Sequence, residues 1–221
     1  MNIIVLGAPG SGKGTMAKIL SKQTNLPHIS TGDILRETIA QGTEIGNQVS
    51  SYMNEGKLVP DELVINIMKA RLKNEDAKNG AILDGFPRTI KQAKALDEFL
   101  SETGESVTLV PELVIPDDVI IQRILNRAIC SNKKCGAIYN TKFKPPKEQG
   151  KCDLCGAKLN IRTDDNEETI KARLEVYRVE GKELLNYYNQ KGILYTIIPK
   201  DPNAEDVSKQ AVEEILIKVR K

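Results

Sequence analysis

Nine residues near the N-terminus, Gly7-Ala-Pro-Gly-Ser-Gly-Lys-Gly-Thr15, follow a short apolar run and precede a helical pattern. A glycine-rich turn between a strand and a helix lets successive backbone N–H groups point inward at phosphate oxygens. The helix start adds its dipole, and a lysine at the end of the turn reaches the terminal phosphates. Gly10, Ser11, Gly12, Lys13, Gly14 and Thr15 are therefore the candidate phosphate-binding set. A tight strand-to-helix turn would need glycines too, but strand, glycines, lysine and helix in that order favour phosphate. The loop departs from the general G-x-x-x-x-G-K-[ST] form. Gly14 follows the lysine, and the hydroxyl arrives one residue later at Thr15, so a Mg²⁺ ion here is expected to be held through water and phosphate.

A second chemistry is written between Cys130 and Cys155. All four cysteines lie there, spaced C-x4-C, sixteen residues, then C-x2-C. Cys152-Asp-Leu-Cys155-Gly156 has the form of a zinc knuckle, two thiolates on a tight turn closed by glycine, and Cys135-Gly136 repeats its end. Four thiolates at ribbon spacing suit tetrahedral Zn²⁺, with Cys130, Cys135, Cys152 and Cys155 as ligands. Two disulfides and an iron–sulfur cluster are the alternatives; a reducing compartment disfavours the first and the ribbon spacing the second. Cys130 sits two residues farther out than in the common knuckle.

Positioning these groups requires an alternating chain. Residues 2–7, 80–85, 107–115 and 193–199 read as strands, the third broken by Pro111 and the last ended by Pro199. Helical patterns cover 13–23, 61–74, 89–102, 117–128, 165–190 and 203–220. Strands alternating with helices predict a parallel sheet with crossover helices. Asp165 and Glu168 give the helix from 165 the form of a capping box. Two segments break the alternation: residues 30–60, helical and glycine-punctuated with no strand, and residues 129–160. The latter hold seven lysines (133, 134, 142, 144, 147, 151, 158) against Glu148 and Asp153.

The whole chain is not basic. Its 32 Lys and Arg against 30 Asp and Glu leave a formal charge of +2, which argues against a nucleic-acid coat. With 221 residues, 40% of them hydrophobic, it can bury a core without disulfides. The N-terminal apolar run is too short for a signal peptide, and no apolar stretch reaches the roughly 18 residues of a membrane span. A cytoplasmic protein is the expectation.

GAPGSGKGT, STGDILR (30–36), GKLVPDEL (56–63), DGFPRT (84–89) and RTDDNEETIKARL (162–174) resemble, in order and spacing, the adenylate kinases, and the cysteine segment has the length of that family's long bacterial lid. The resemblance spans residues 1 to about 200. It implies a phosphate-loop α/β fold with two insertions, an AMP-binding segment over 30–59 and a lid over 127–163. It also implies a monomer that converts ATP and AMP to two ADP with Mg²⁺. By the same resemblance, Gly10 to Thr15, Arg123, Arg127, Ile138, Tyr139 and Lys200 hold ATP. Thr31, Arg36, Lys57, Leu58, Val59, Gly85, Phe86, Pro87, Arg88 and Gln92 hold AMP. Arg162 and Arg173 bridge both sets of phosphates, and Asp84 orients Mg²⁺ through water. Lys13, Asp84, Arg88, Arg123, Arg162 and Arg173 form the expected catalytic set. Arginines suit the task, because a planar guanidinium grips phosphate oxygens in pairs. Arg162 and Arg173, eleven residues apart, share a helix face if that helix begins early. His28, the only histidine, reads as structural, and Met16 as packing. A kinase for UMP or CMP is the near alternative, and an ATP-regulated nucleic-acid binder using the basic cysteine segment the distant one.

Overall fold

Alternation within the first strand sets up two layers of core. In β1 (Asn2–Val5), Ile3 and Val5 face one cluster of buried side chains, and Ile4 and the following Leu6 face another. Side chains of successive strand residues point to opposite faces, so a strand that is apolar throughout must be covered twice. The computed structural model describes residues 1–132, 134–204 and 206–219. Its five-stranded sheet is wholly parallel, in the order β2 (His28–Ser30), β3 (Ile82–Asp84), β1, β4 (Val107–Leu113), β8 (Leu194–Ile197).

Helices close both faces. Met16, Ala17 and Leu20 of α1 (Lys13–Thr24) pack with Ile120 and Ile124 of α6 (Asp117–Leu125) and with Ala211, Val212 and Ile215 of α8 (Val207–Val219). On the other face α4 (Asp61–Leu72) and α5 (Ile90–Ser101) supply Val64, Met68, Ala93 and Leu96. The long helix α7 (Glu167–Gln190) serves both layers, with Ile170 and Leu174 in the first and Leu184 and Tyr188 in the second.

Two pieces interrupt this pattern, as the sequence predicts. Residues 31–54 fold as paired helices, α2 (Thr31–Ala40) and α3 (Glu44–Asn54). Residues 127–160 form a separate antiparallel sheet, β6 (Ile138–Asn140), β5 (Arg127–Cys130), β7 (Leu159–Asn160). Lys133, one of the seven lysines of this segment, lies outside the described residues, as does residue 220, the end of the last predicted helix.

Two strands and two helices depart from the sequence reading in ways that bear on the site. Pro111 does not break β4: its carbonyl accepts from Leu6 N–H (2.9 Å) and the ladder to β8 continues through it. β2 has only three residues, too short for a periodic signal. The helix expected over 117–128 stops at Leu125 because Arg127 already pairs with Asn140 in the small sheet. Helix α7 starts at Glu167, not 165. Asn166 is its cap, accepting from Thr169 N–H (2.9 Å), and Asp165 is released for an ion pair.

Candidate active site

Helices α2, α3, α5 and α7 each begin with a side chain, Ser30, Thr43, Thr89 or Asn166, that accepts a hydrogen bond from a backbone N–H in the first turn. Helix α1 has no capping side chain and no acid in its first turn. Its first N–H groups and its dipole are left for an anion from outside. Gly12, at φ 105° in front of Lys13, turns the chain into the helix through a conformation that favours glycine.

This helix end opens on a cleft of about 410 Å³. Gly10, Gly12, Lys13, Gly14 and Thr15 line it, as do Thr31, Arg36, Lys57, Leu58 and Val59 from the helical pair and its exit. Gly85, Arg88 and Gln92 enter from the end of β3, Arg123 and Arg173 from α6 and α7, and Arg127, Ile138, Tyr139 and Arg162 from the segment of the small sheet and its exit. Six arginines spread over 137 residues of sequence and Lys13 thus meet in one space, although the loop carrying Arg162 ends before α7 begins. The shared helix face expected for Arg162 and Arg173 does not exist; the 163–166 turn brings them together instead.

Carboxylates hold these cations. Arg36 pairs with Asp33 (2.7 Å), which also lies 3.6 Å from Arg162. Arg173 pairs with Asp164 (2.9 Å). Arg127 makes a two-pronged pair with Asp165, whose side chain is 0% exposed. Arg123 instead donates to two backbone carbonyls, those of Ser11 (2.9 Å) and Pro202. These anchoring acids lie inside the quoted STGD and RTDD stretches; the i,i+3 spacing of Asp33 and Arg36 on a helix is a local signal, whereas nothing in the spacing marks Asp165 as the partner of Arg127.

Burial, and after it the concentration of charge, shifts the groups. Burial first, and then the charges of Arg88, Arg173 and Arg127 against the opposing pull of Asp84, bring Lys13 down to about 8. Burial and Arg173 lower Arg88 to about 10; burial and the Arg36 and Arg127 charges lower Arg162 to about 10. Burial alone would raise Asp84, but the His28 hydrogen bond and the Lys13 charge hold it below the usual carboxylate range. A polyanion entering this cleft relieves repulsion among groups already desolvated.

Asp84 explains the departure of the phosphate loop. A Cβ built on Gly14 would come 3.1 Å from Asp84 Oδ2, so the serine or threonine of the general motif would crowd that carboxylate. The oxygen beside the loop comes from β3 in place of the helix. His28 Nε2 lies 3.4 Å from Asp84 Oδ2, from the neighbouring strand. The histidine therefore fixes a carboxylate of the cleft.

Several expected residues take other places. Ser11 is fully buried beneath the loop and reaches the site through its carbonyl. Phe86 is buried in the core, and Pro87 lines a smaller adjoining cavity. Lys200 is exposed and outside the cleft wall, which on that side is made by Asn203, Ala204, Val207 and Ser208. Tyr139 lines the cleft but is only 6% exposed, and its hydroxyl faces Cys152 Sγ (3.5 Å) and accepts from Asp153 N–H (2.7 Å). Its polar end serves the cysteine cluster. Lys18 of α1, which carried no sequence signal, donates to Gly136 O in the segment of the small sheet (2.7 Å).

The four cysteine sulfurs lie within 4.8 Å of one another, with Cys130 to Cys155 at 3.4 Å and Cys135 to Cys152 at 3.7 Å. A disulfide needs about 2.05 Å. Thiolates around a tetrahedral zinc, with bonds of about 2.3 Å, sit about 3.8 Å apart. The cluster fits a four-coordinate thiophilic metal, and Cys130 converges with the rest despite its wider spacing. Among the described residues no helix is long and apolar enough to cross a membrane.

The family model for adenylate kinase matches residues 5–193. The chain belongs to the adenylate kinase family. It is 49% identical over 215 residues to an adenylate kinase of Caldicellulosiruptor bescii, covering 97% of this chain and 99% of that relative. It is 48% identical to one of Archaeoglobus fulgidus over the full length of both chains, and 50% identical over 197 residues to one of Clostridium tetani, covering 89% and 90%. As an adenylate kinase the molecule has the expected phosphate-loop α/β fold, a parallel sheet with helices on both faces.

Proposed function

We infer that this chain transfers the terminal phosphoryl group of Mg-ATP to AMP, reversibly, giving two ADP. One observation carries the reading: six arginines and Lys13 converge on the uncapped start of α1 in a single cleft. Phosphoryl transfer between two polyanions asks for little covalent help and much positioning and charge stabilisation. Lys13 and the loop N–H groups of Gly10 to Thr15 hold the ATP phosphates. Arg88 takes the AMP phosphate at the carboxyl end of β3, and Arg123, Arg162 and Arg173 gather on the transferring group. Arg36, Thr31 and Gln92 complete the AMP side, while Arg127 and the lid strand around Ile138 complete the ATP side.

Asp84 is the carboxylate beside the loop that fits Mg²⁺, held by His28 on one side and facing Lys13 on the other. Bound there, the ion would neutralise phosphate charge and orient the transferring group. Cys130, Cys135, Cys152 and Cys155 would hold Zn²⁺, which gives a segment with a core of only five buried residues, among them two of those cysteines, its fold. Residues 127–163 act as the lid that excludes water, which would otherwise compete with AMP for the phosphoryl group. Residues 30–59 act as the AMP-binding segment. The same reading makes the enzyme a cytoplasmic monomer whose partners are nucleotides and not nucleic acid.

The test is a coupled assay with Mg-ATP and a panel of AMP, UMP, CMP and GMP. Selective ADP formation from AMP is the expected result. Equal or faster transfer to a pyrimidine monophosphate, or no transfer at all, overturns the reading.

A further inference from the structure

Gln92 is 2% exposed, yet its side chain forms part of the cleft wall. A primary amide has two faces of opposite character, and nothing in the amide itself decides which way round it sits. Here its surroundings decide. Gln92 Oε1 accepts from the backbone N–H of Arg88 (2.8 Å), and Gln92 Nε2 donates to Asp61 Oδ1 (2.7 Å). A backbone N–H can only donate and an ionised carboxylate can only accept. Turning the amide over would therefore set donor against donor at Arg88 and acceptor against acceptor at Asp61. Thr89 Oγ1 donates to the same Asp61 oxygen (3.0 Å) while accepting from Gln92 N–H (3.2 Å), which holds the carboxylate in place.

After these bonds Gln92 retains one N–H and one oxygen lone pair for a ligand. A 6-aminopurine offers an amino donor at position 6 and an acceptor at ring nitrogen 1; a 6-oxopurine offers the reverse. With position 6 of the base on the Oε1 side and ring nitrogen 1 on the Nε2 side, the fixed amide matches the first and opposes the second, whereas an amide free to turn matches either. We propose that Asp61, which does not line the cleft, is a positioning residue that sets base specificity by locking the Gln92 amide in the orientation that accepts an aminopurine and rejects an oxopurine. The inference rests on the assignment of the monophosphate site to AMP.

Asp61→Asn tests it. Asparagine has the same size but can present a donor or an acceptor, so one of the two locks is lost and the Arg88 N–H remains. We expect kcat/KM for AMP relative to IMP to fall about tenfold, the effect of one charge-assisted hydrogen bond. The KM for Mg-ATP should stay unchanged. A folded variant with an unchanged AMP-to-IMP ratio, or with both substrates weakened equally, overturns the inference. Wild-type enzyme that fails to use AMP overturns the site assignment itself and is visible in the same assay. If the asparagine variant does not fold, Thr89→Val, which removes one anchor of the carboxylate, should narrow the ratio about threefold; no narrowing overturns the inference.

Discussion

Replacing Lys13 by methionine should separate function from stability in opposite directions. Lys13 is half-buried beside arginines, and desolvation with their charge brings its ammonium down to about 8 from the ordinary 10.5. At roughly 1.4 kcal/mol for each pH unit, keeping it charged costs the nucleotide-free fold about 3 kcal/mol at neutral pH. The sign follows from proton counts. Between pH 8 and 10.5 the unfolded chain binds more protons at this lysine than the folded one, so the cost is full below pH 8 and fades as pH rises. Methionine fills similar volume without charge. Lys13→Met should therefore be more stable than the parent by up to about 3 kcal/mol at pH 7 and about 2 kcal/mol at pH 9, with the difference closing towards pH 10.5. Turnover should fall by about 10²–10³ or more, because the cation facing the transferring phosphoryl is gone. Denaturant titration at the two pH values and the coupled assay at pH 7 read both effects. A folded variant with near-normal turnover refutes the placement of Lys13 at the phosphates. A variant less stable than the parent at pH 7, or a stability difference that does not shrink with pH, refutes the electrostatic argument.

Arg88→Ala should raise the KM for AMP and lower turnover together while leaving Mg-ATP affinity nearly unchanged; equal weakening of both nucleotides in calorimetric titrations would count against this division. Cys152→Ser with Cys155→Ser should abolish metal binding, loosen the lid before the sheet in hydrogen exchange and lower the Tm. Protein purified without chelator that carries no thiophilic metal, yet keeps the lid ordered, would refute a metal-built lid. Asp165→Ala should leave Arg127 without its buried partner, costing roughly 3 kcal/mol in denaturant titrations. Stability equal to the parent would show that the pair contributes nothing to closing the lid base.

The local parts of this molecule were legible because local rules write them. Strand, glycines, Lys13 and helix follow one another within a few residues, and backbone geometry alone makes that sequence an anion cradle. The cysteine knuckle is equally local, since two thiolates on a turn need only the turn. The alternation of strands and helices gave the parallel sheet through its period. What the sequence left open concerns groups brought together from far apart. Asp165 is an ordinary acid in the linear chain, and only the fold makes it the anchor of Arg127, 38 residues away; Asp33, already placed to pair with Arg36 one helical turn on, reaches Arg162 only when the chain folds. The helix start moved from Asp165 to Glu167 for the same reason: a carboxylate can cap a helix or neutralise an arginine, and the nearby Arg127 decided which. Gly14 looked like a defect in a motif until β3 placed Asp84 against it. Gln92 carried no sign of its orientation, because an amide reads the same from either side until a donor four residues away and an acceptor 31 residues away are folded onto it. Covalent neighbours and periodicity fix conformation over a few residues. Charge compensation and amide orientation depend on distances that the chain acquires only when it has folded.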